Sequence, residues 1–246
     1  MTGDVIRAGW AAKLHIQALT TTRTSGSSVG PFESFNLAAH VGDDETAVRD
    51  NRDQARRRFG LPGDPVWLQQ VHGANIVRAD IYHAGRGADG SFTETPGIVC
   101  AIMTADCLPL FLCDVDGSKV GLFHIGWRGL AQGMVRKAAR LFTRGGGGRA
   151  LAWFGPAIGP QAFEVGGDVK STLESATASP AGCFRRTVNG KWLVDLYALT
   201  AGELELEGIE CSYDHSLCTF NDSARFYSHR RCQPCGRMAS IIWMNP

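Results

Sequence analysis

Apolar and polar positions alternate in some stretches of the chain and run unbroken in others, and the two patterns divide it into elements. Lys13–Arg23, KLHIQALTTTR, alternates and is rich in Thr, which predicts a strand. SGSSVGPFESFN after it is a loop of turn-forming residues. From Asp43-Asp44 to Gly60 acidic residues lead and arginines follow, predicting a helix whose charges match its dipole. VWLQQVHG and NIVRADI predict two strands around a tight turn at Gly73-Ala74, and YHAGRGADGSFTETPG a glycine-rich loop. The segment IVCAIMTADCLPLFLCDVDGSKVGLFHIGW is almost continuously apolar and predicts two or three buried strands, with Asp116-Gly117 as a turn. GLAQGMVRKAARLFTRG then sets Leu130, Met134, Ala138 and Leu141 at helical spacing. The run Gly145–Gly148 ends that helix and leads into a further apolar strand, ALAWFGPAIG. FRRTVNGKWLVDL predicts a hairpin around Asn189-Gly190, YALTAGELELEGI a short helix and RMASIIWM a final strand. No repeat interrupts this order, and the glycine run is too short for a domain linker. The expectation is one mixed α/β domain over residues 1–246, with 1–12 as an N-terminal extension.

Composition narrows the function classes. The 246 residues are 44% hydrophobic and 20% charged, with a net charge of +1, which suits a sizeable core and argues against a general binder of nucleic acid or membrane surface. The N-terminus lacks an apolar leader core, and no stretch is long and apolar enough to span a bilayer. A soluble cytoplasmic monomer acting on small molecules is therefore expected. In that compartment the eight cysteines stay reduced, as core filler, metal ligands or nucleophiles.

Three residues end or interrupt apolar strands: His72 in QQVHG, Cys107 in TADCLP and His124 in FHIGW. Zinc favours imidazole nitrogen and thiolate sulfur, and three protein ligands leave a fourth position open, the catalytic form of a zinc site. A lone buried His or Cys is ordinarily core, but each of these three is followed within two residues by Gly, Pro or a Gly-framed turn, where backbone approaches a ligand closely or is kept out of a helix. The same atoms allow a metal-free reading, with Cys107 as nucleophile and His124 as base. Asp106 cannot share a face with Cys107 in an extended segment and reaches the site only at a bulge or turn. Arg128, near a helix start expected at Gly129, suits an anion or, equally, a core-edge carboxylate. Arg23, Asn36, His40, Arg230 and Arg231 add polar groups in loops beside strands. Cys232 and Cys235 form a Cys-x-x-Cys pair, but Cys211 and Cys218 do not complete a standard zinc ribbon, so incidental thiols are expected.

Taken together, FNLAAHVGDD, LQQVHG, TADCLPLFL, FHIGWRGL, WFGPAIGPQAFEVG and RFYSHRR…GRMASIIW resemble, in order and over most of the chain, the YfiH family, also called the laccase-domain or peptidoglycan-editing-factor family. The resemblance implies a single α/β-sandwich domain with zinc on His72, Cys107 and His124. It implies phosphorolysis of adenosine, inosine and methylthioadenosine-type nucleosides, deamination of adenosine and, for some members, editing of peptidoglycan precursors. On that reading Arg128, with Arg23, Asn36 and Arg230, holds phosphate and nucleoside, and His40 or Asp106 handles protons beside the three ligands. The chain departs from the family pattern at Cys232 and Cys235, where an acidic residue and Thr are common, and at His229, where an aromatic residue is common. An older family label is multicopper polyphenol oxidase. Copper clusters need many histidines, often as His-x-His, whereas this chain has seven and none so paired, so zinc is expected ahead of copper. Two rivals remain: a Cys107–His124 amide hydrolase of cell-wall precursors, and a non-enzymatic zinc-stabilised interaction domain.

Overall fold

The structure, a computed structural model, describes residues 5–143, 149–178 and 180–246; the run Gly145–Gly148 lies outside them. Val5–Arg7 (β1) pairs antiparallel with Ile16–Thr21 (β2). Glu45–Phe59 (α1) starts at Asp44, whose carboxylate accepts from the Ala47 N–H at 2.8 Å, and ends at Gly60, left-handed at φ 64°. Val66–Trp67 (β3), Ile76–Arg78 (β4), Gly90–Thr93 (β5), Cys100–Thr104 (β6), Leu108–Asp114 (β7) and Val120–Ile125 (β8) follow. Then come Trp127–Ala131 (α2), Met134–Thr143 (α3), Ala150–Phe154 (β9), Glu164–Val165 (β10) and Gly167–Ala176 (α4). Phe184–Arg186 (β11), Trp192–Val194 (β12), Leu196–Glu205 (α5), Glu210–Ser212 (β13) and Met238–Met244 (β14) complete the order. No helix among the described residues is long and apolar enough to cross a membrane.

Two mixed sheets face each other. One has the order β1-β2-β14-β6-β3 and the other β13-β9-β7-β8-β5-β4; β10-β12-β11 forms a small third sheet. Between the large sheets, Cys100, Ile102 and Ile242 pack with Phe111, Leu122 and Trp153. The outer face of the first sheet, with Leu19, Ala101 and Ile241, is covered by Ala55 of α1 and by Phe35 and Leu37. The outer face of the second, with Leu110, Leu112 and Phe123, is covered by Val135, Ala138 and Phe142 of α3 and Leu199 of α5. The result is the expected mixed α/β sandwich, because β6, β7 and β8 are apolar on both faces and each needs a cover on both sides.

Three local expectations are corrected. VWLQQVHG and NIVRADI do not form a hairpin: β3 joins β6 in one sheet and β4 joins β5 in the other. The chain crosses between the sheets because Val71, His72 and Gly73 all donate their N–H groups to the buried Asp89 carboxylate and not to a partner strand. The glycine-rich loop contains β5, an inner strand between β8 and β4. Its small residues answer a packing demand: a Cβ on Gly90 would stand 2.5 Å from the Phe123 ring, its cross-strand neighbour. The helix after His124 breaks into α2 and α3 at Gly133, which is left-handed at φ 78°.

Candidate metal centre and its cleft

Strand register brings the site together. In the antiparallel β7–β8 ladder Pro109 lies opposite His124, so Cys107, one residue before β7, stands beside the end of β8. His72 arrives on the crossing between sheets. One ligand atom from each of His72, Cys107 and His124 lies within 4.8 Å of the others, and the two imidazole centroids are 4.8 Å apart at 79°. His124 is buried, Cys107 half-buried and His72 open to the cleft. His72 and Asp106 both have positive φ, 59° and 101°, a conformation that non-glycine residues adopt at a cost. At Asp106 this twist sends neighbouring side chains apart: Cys107 faces the imidazoles, while the Asp106 carboxylate accepts from Thr219 Oγ1 and the Arg230 N–H, each at 2.7 Å.

Asp89, which local sequence gave no reason to select, holds two of the ligands. Its side chain is fully buried. Oδ1 accepts from His124 Nδ1 and the His72 N–H, each at 2.9 Å; Oδ2 accepts from the N–H groups of Gly73 at 2.7 Å and Val71 at 3.2 Å. The His124 N–H also donates to the Asp89 carbonyl at 2.7 Å. With Nδ1 bonded to Asp89, His124 presents its other ring nitrogen to the thiol, the arrangement that orients metal-binding histidines. Burial opposes charge on Asp89, but His124 and the N–H groups of Gly73 and Val71 outweigh it and hold the carboxyl below the usual range. Burial likewise opposes a thiolate at Cys107, yet His124 and His72 overcome it and pull the thiol down. For His124, burial is outweighed by Cys107 and Asp89, which push its proton affinity up.

The donor set fits a zinc-type ion: one sulfur poised as thiolate, two imidazoles and space above them. Gly126 supports the fit. A Cβ there would crowd Cys107 Sγ at 3.2 Å and touch His72 Cδ2 at 3.6 Å and His124 Cε1 at 3.9 Å, so the backbone lies against all three side chains. Among the described residues no other group of His, Cys, Asp or Glu converges in this way. Cys232 is exposed and Cys235 buried, the latter 3.3 Å from Arg237 Nη1; neither they nor Cys211 and Cys218 join a ligand cluster.

The ligands lie in a cleft of about 360 Å³. Trp127, Ile158 and Phe163 contribute apolar surface to it, and His40, Asp106, Arg128 and Arg230 line it as well. Arg128 is exposed, its guanidinium 4.5 Å above the Trp127 ring, on a five-residue helix that begins at Trp127 and not near Gly129. Arg230 Nη1 donates to the Glu164 carbonyl. Arg23 and Asn36 do not line the cleft. Arg23 donates to the carbonyls of Glu33 and Ser223 and covers the Tyr227 ring, and Asn36 is buried between Ala38, Asp43 and the Arg237 N–H. Arg231 is tied to the carbonyls of Thr219, Phe220 and Phe226. Gln70, Thr104, His229 and Arg237 also line the cleft, and only His229 stood out in the sequence. Arg237 opens the last strand much as Arg128 follows β8, a position beside a strand end that could have drawn attention to it.

Comparison with known proteins is consistent over the whole chain. Residues 17–245 match the family described as multi-copper polyphenol oxidoreductase laccase. A Pseudomonas aeruginosa protein named purine nucleoside phosphorylase is 44% identical over 96% of each chain. An Escherichia coli protein named purine nucleoside phosphorylase YfiH is 40% identical over 96% of each. The crystal structure of a Neisseria meningitidis protein superposes with a TM-score of 0.90 at 38% identity, covering 99% of this chain and 100% of that one. YlmD from Geobacillus stearothermophilus superposes with a TM-score of 0.90 at 30% identity, covering 100% and 98%.

Proposed function

The chain belongs to the multi-copper polyphenol oxidoreductase laccase family, and from that premise we propose that it is a zinc-dependent purine nucleoside phosphorylase, a cytoplasmic monomer acting on adenosine, inosine and methylthioadenosine-type nucleosides. The observation that carries the reading is the convergence of His72, Cys107 and His124 at one cleft that offers both aromatic and cationic surface. Two of the seven histidines meet a thiol there, too few for a multicopper cluster, and the mixed sulfur and nitrogen set favours zinc.

In phosphorolysis a phosphate oxygen bonds to ribose C1′ as the bond from C1′ to the purine nitrogen breaks. The bonding pair leaves with the purine, which ends with the proton that hydrogen phosphate gives up. His72, Cys107 and His124 would hold zinc, which would supply Lewis-acid chemistry to this cleft. Asp89 orients His124 and fixes the His72 loop, and Asp106 fixes the Arg230 segment through its backbone N–H. Trp127 and Phe163 contribute aromatic surface that suits a purine, each with a guanidinium over its ring, Arg128 on Trp127 and Arg230 on Phe163. His40 makes no hydrogen bond among the described residues, and burial, then Arg237, Arg52 and His72, lower its proton affinity, so a neutral imidazole is available to carry the proton. Adenosine deamination, the accompanying activity, is a separate substitution at the base: water adds to purine C6, the C6–N bond breaks and the amino group leaves as ammonia, giving inosine.

The test is metal analysis of the purified protein together with release of free base from inosine and adenosine, with and without phosphate. One zinc per chain and phosphate-dependent release are expected; zinc-free active protein, or release indifferent to phosphate, overturns the reading.

One observation favours a second reading. Cys107, His124 and Asp89 lie in the order of a thiol hydrolase triad, which suits amide hydrolysis of cell-wall precursors. A triad needs one imidazole, and His72 supplies a second to the same thiol, which is why the metal reading is preferred. A covalent acyl adduct on Cys107 of metal-free protein, seen by mass spectrometry, would reverse that preference.

A further inference from the structure

The cleft contains donors that nothing in the fold uses. Arg237 is half-buried at the start of β14. Its guanidinium hydrogen bonds all leave from Nη1, to the carbonyls of Cys235 at 2.7 Å and Gly236 at 3.0 Å and to Cys235 Sγ at 3.3 Å. Nε and Nη2 make none among the described residues, which leave unused the fork that grips an oxyanion with two parallel bonds. The Arg237 backbone is fixed by its N–H on Asn36 Oδ1 at 2.9 Å, which sets where the side chain starts. His40 and His229 line the same cleft, and neither imidazole has a hydrogen bond or ion pair among the described residues. Burial, then the charge of Arg237, lowers the proton affinity of both, and His72 acts on both as well. All four side chains, His40, His72, His229 and Arg237, line the one cleft. A separate observation points to a polar ligand. Thr104, 2% exposed, lines the cleft, and its Oγ1 is one of two buried side-chain oxygens without a partner among the described residues.

We infer that Arg237, His40 and His229 form the phosphate subsite of this cleft, beside His72. The inference rests on the phosphorolysis reading and moves the anion away from Arg128, the residue the sequence favoured. Arg128 lies exposed over Trp127, where an anion keeps its hydration and the attraction is screened. Phosphate attacks carbon better when part of that hydration is replaced by fixed donors, and the half-buried Arg237 fork in a cleft that two further imidazoles line supplies them. His40, neutral, can accept the proton of hydrogen phosphate, while His229 donates from its ring N–H.

The experiment is calorimetric titration of the zinc-loaded protein with inorganic phosphate, with and without hypoxanthine, alongside a phosphate series for inosine cleavage. Arg237→Met should weaken phosphate binding about tenfold or more, the scale of lost charge-assisted bonds, and Arg237→Lys should recover part of it. Zinc content and the KM for inosine should stay within about twofold of wild type, which separates an anion contact from a structural role. His40→Ala and His229→Ala should each weaken phosphate, and they keep the inference testable if Arg237→Met does not fold. Arg128→Met should leave phosphate affinity within about twofold. Loss of phosphate binding in Arg128→Met with retention in Arg237→Met overturns the assignment, as does retention in both histidine variants. Phosphate bound through Arg237 by a protein that cleaves no nucleoside keeps the subsite and defeats the phosphorylase reading; nucleoside cleavage with phosphate dependence untouched by all three positions does the reverse.

Discussion

Asp89 carries the site at the scale of a single residue. Its two oxygens serve one imidazole and three backbone N–H groups, four donors from two separate segments of the chain. An amide of the same shape has one accepting oxygen, so Asp89→Asn must set an NH₂ against donors on one side. We expect the variant to fold with native-like far-UV circular dichroism and to lose about 10- to 100-fold in zinc affinity, the usual consequence of removing the partner that orients a ligating histidine. Competition with a chromophoric chelator measures this directly, and cobalt in place of zinc reports the ligand geometry in its visible spectrum. Unchanged affinity and spectrum would reduce Asp89 to a packing role.

For an element the informative case is β5, a strand that must begin with glycine where it crosses Phe123. Gly90 lies opposite Phe123, and a Cβ at Gly90 would stand 2.5 Å from Phe123 Cδ1 and 3.4 Å from Ile76 Cγ1. Phe123 is fully buried against α3, its ring 6.3 Å from that of Phe142, so it has little room to yield. Gly90→Ala is expected to destabilise by roughly 1–3 kcal/mol, the cost of overpacking a core, and to lower the melting temperature by several degrees. Gly9→Ala is the matching control, since nothing lies within 4 Å of a Cβ there, and its melting curve should overlay wild type. Zinc content should be unchanged in both, because the strain falls on the helix side of β8.

Across the whole molecule, acid stability depends on carboxylates that clip loops to sheets. Asp80, in the turn after β4, accepts from Thr93 Oγ1 at 2.6 Å, Arg78 Nη2 at 2.7 Å and Thr95 Oγ1 at 3.2 Å, tying the end of β5 to the sheet edge. Burial raises its proton affinity, but Thr93 and Arg78 outweigh that and hold the carboxyl below its ordinary range. The folded value is thus lower than the unfolded one, near 3.9. Its contribution is fully present above the unfolded value and is lost as pH falls through the folded value. Calorimetric melting from about pH 3 to 6 should show wild type losing more melting temperature below about pH 4 than Asp80→Asn does. Parallel curves would show that the Asp80 bonds do not discriminate charged from neutral carboxyl.

Much of this molecule was legible in one dimension. The capped helix α1, the buried strands β6, β7 and β8, and the β11–β12 hairpin with Gly190 at φ 76° follow from periodicity, capping and turn chemistry, all of which act within a few residues. The candidate trio His72, Cys107 and His124 was legible too, because imidazole and thiol side chains stand out at the ends of apolar runs, and the structure brings the three together. The tertiary structure alone decided that β3 and β4 part into different sheets, that the glycine-rich segment hides an inner strand, and that Arg23 and Asn36 are structural while Arg237 reaches the cleft. The physical reason is the same in each case. What a carboxylate or guanidinium does depends on which donors, acceptors and low-dielectric surfaces surround it, and distant segments supply those. Asp89 read as a loop residue in the sequence because its partners, Val71 to Gly73 and His124, come to it only when the two sheets close.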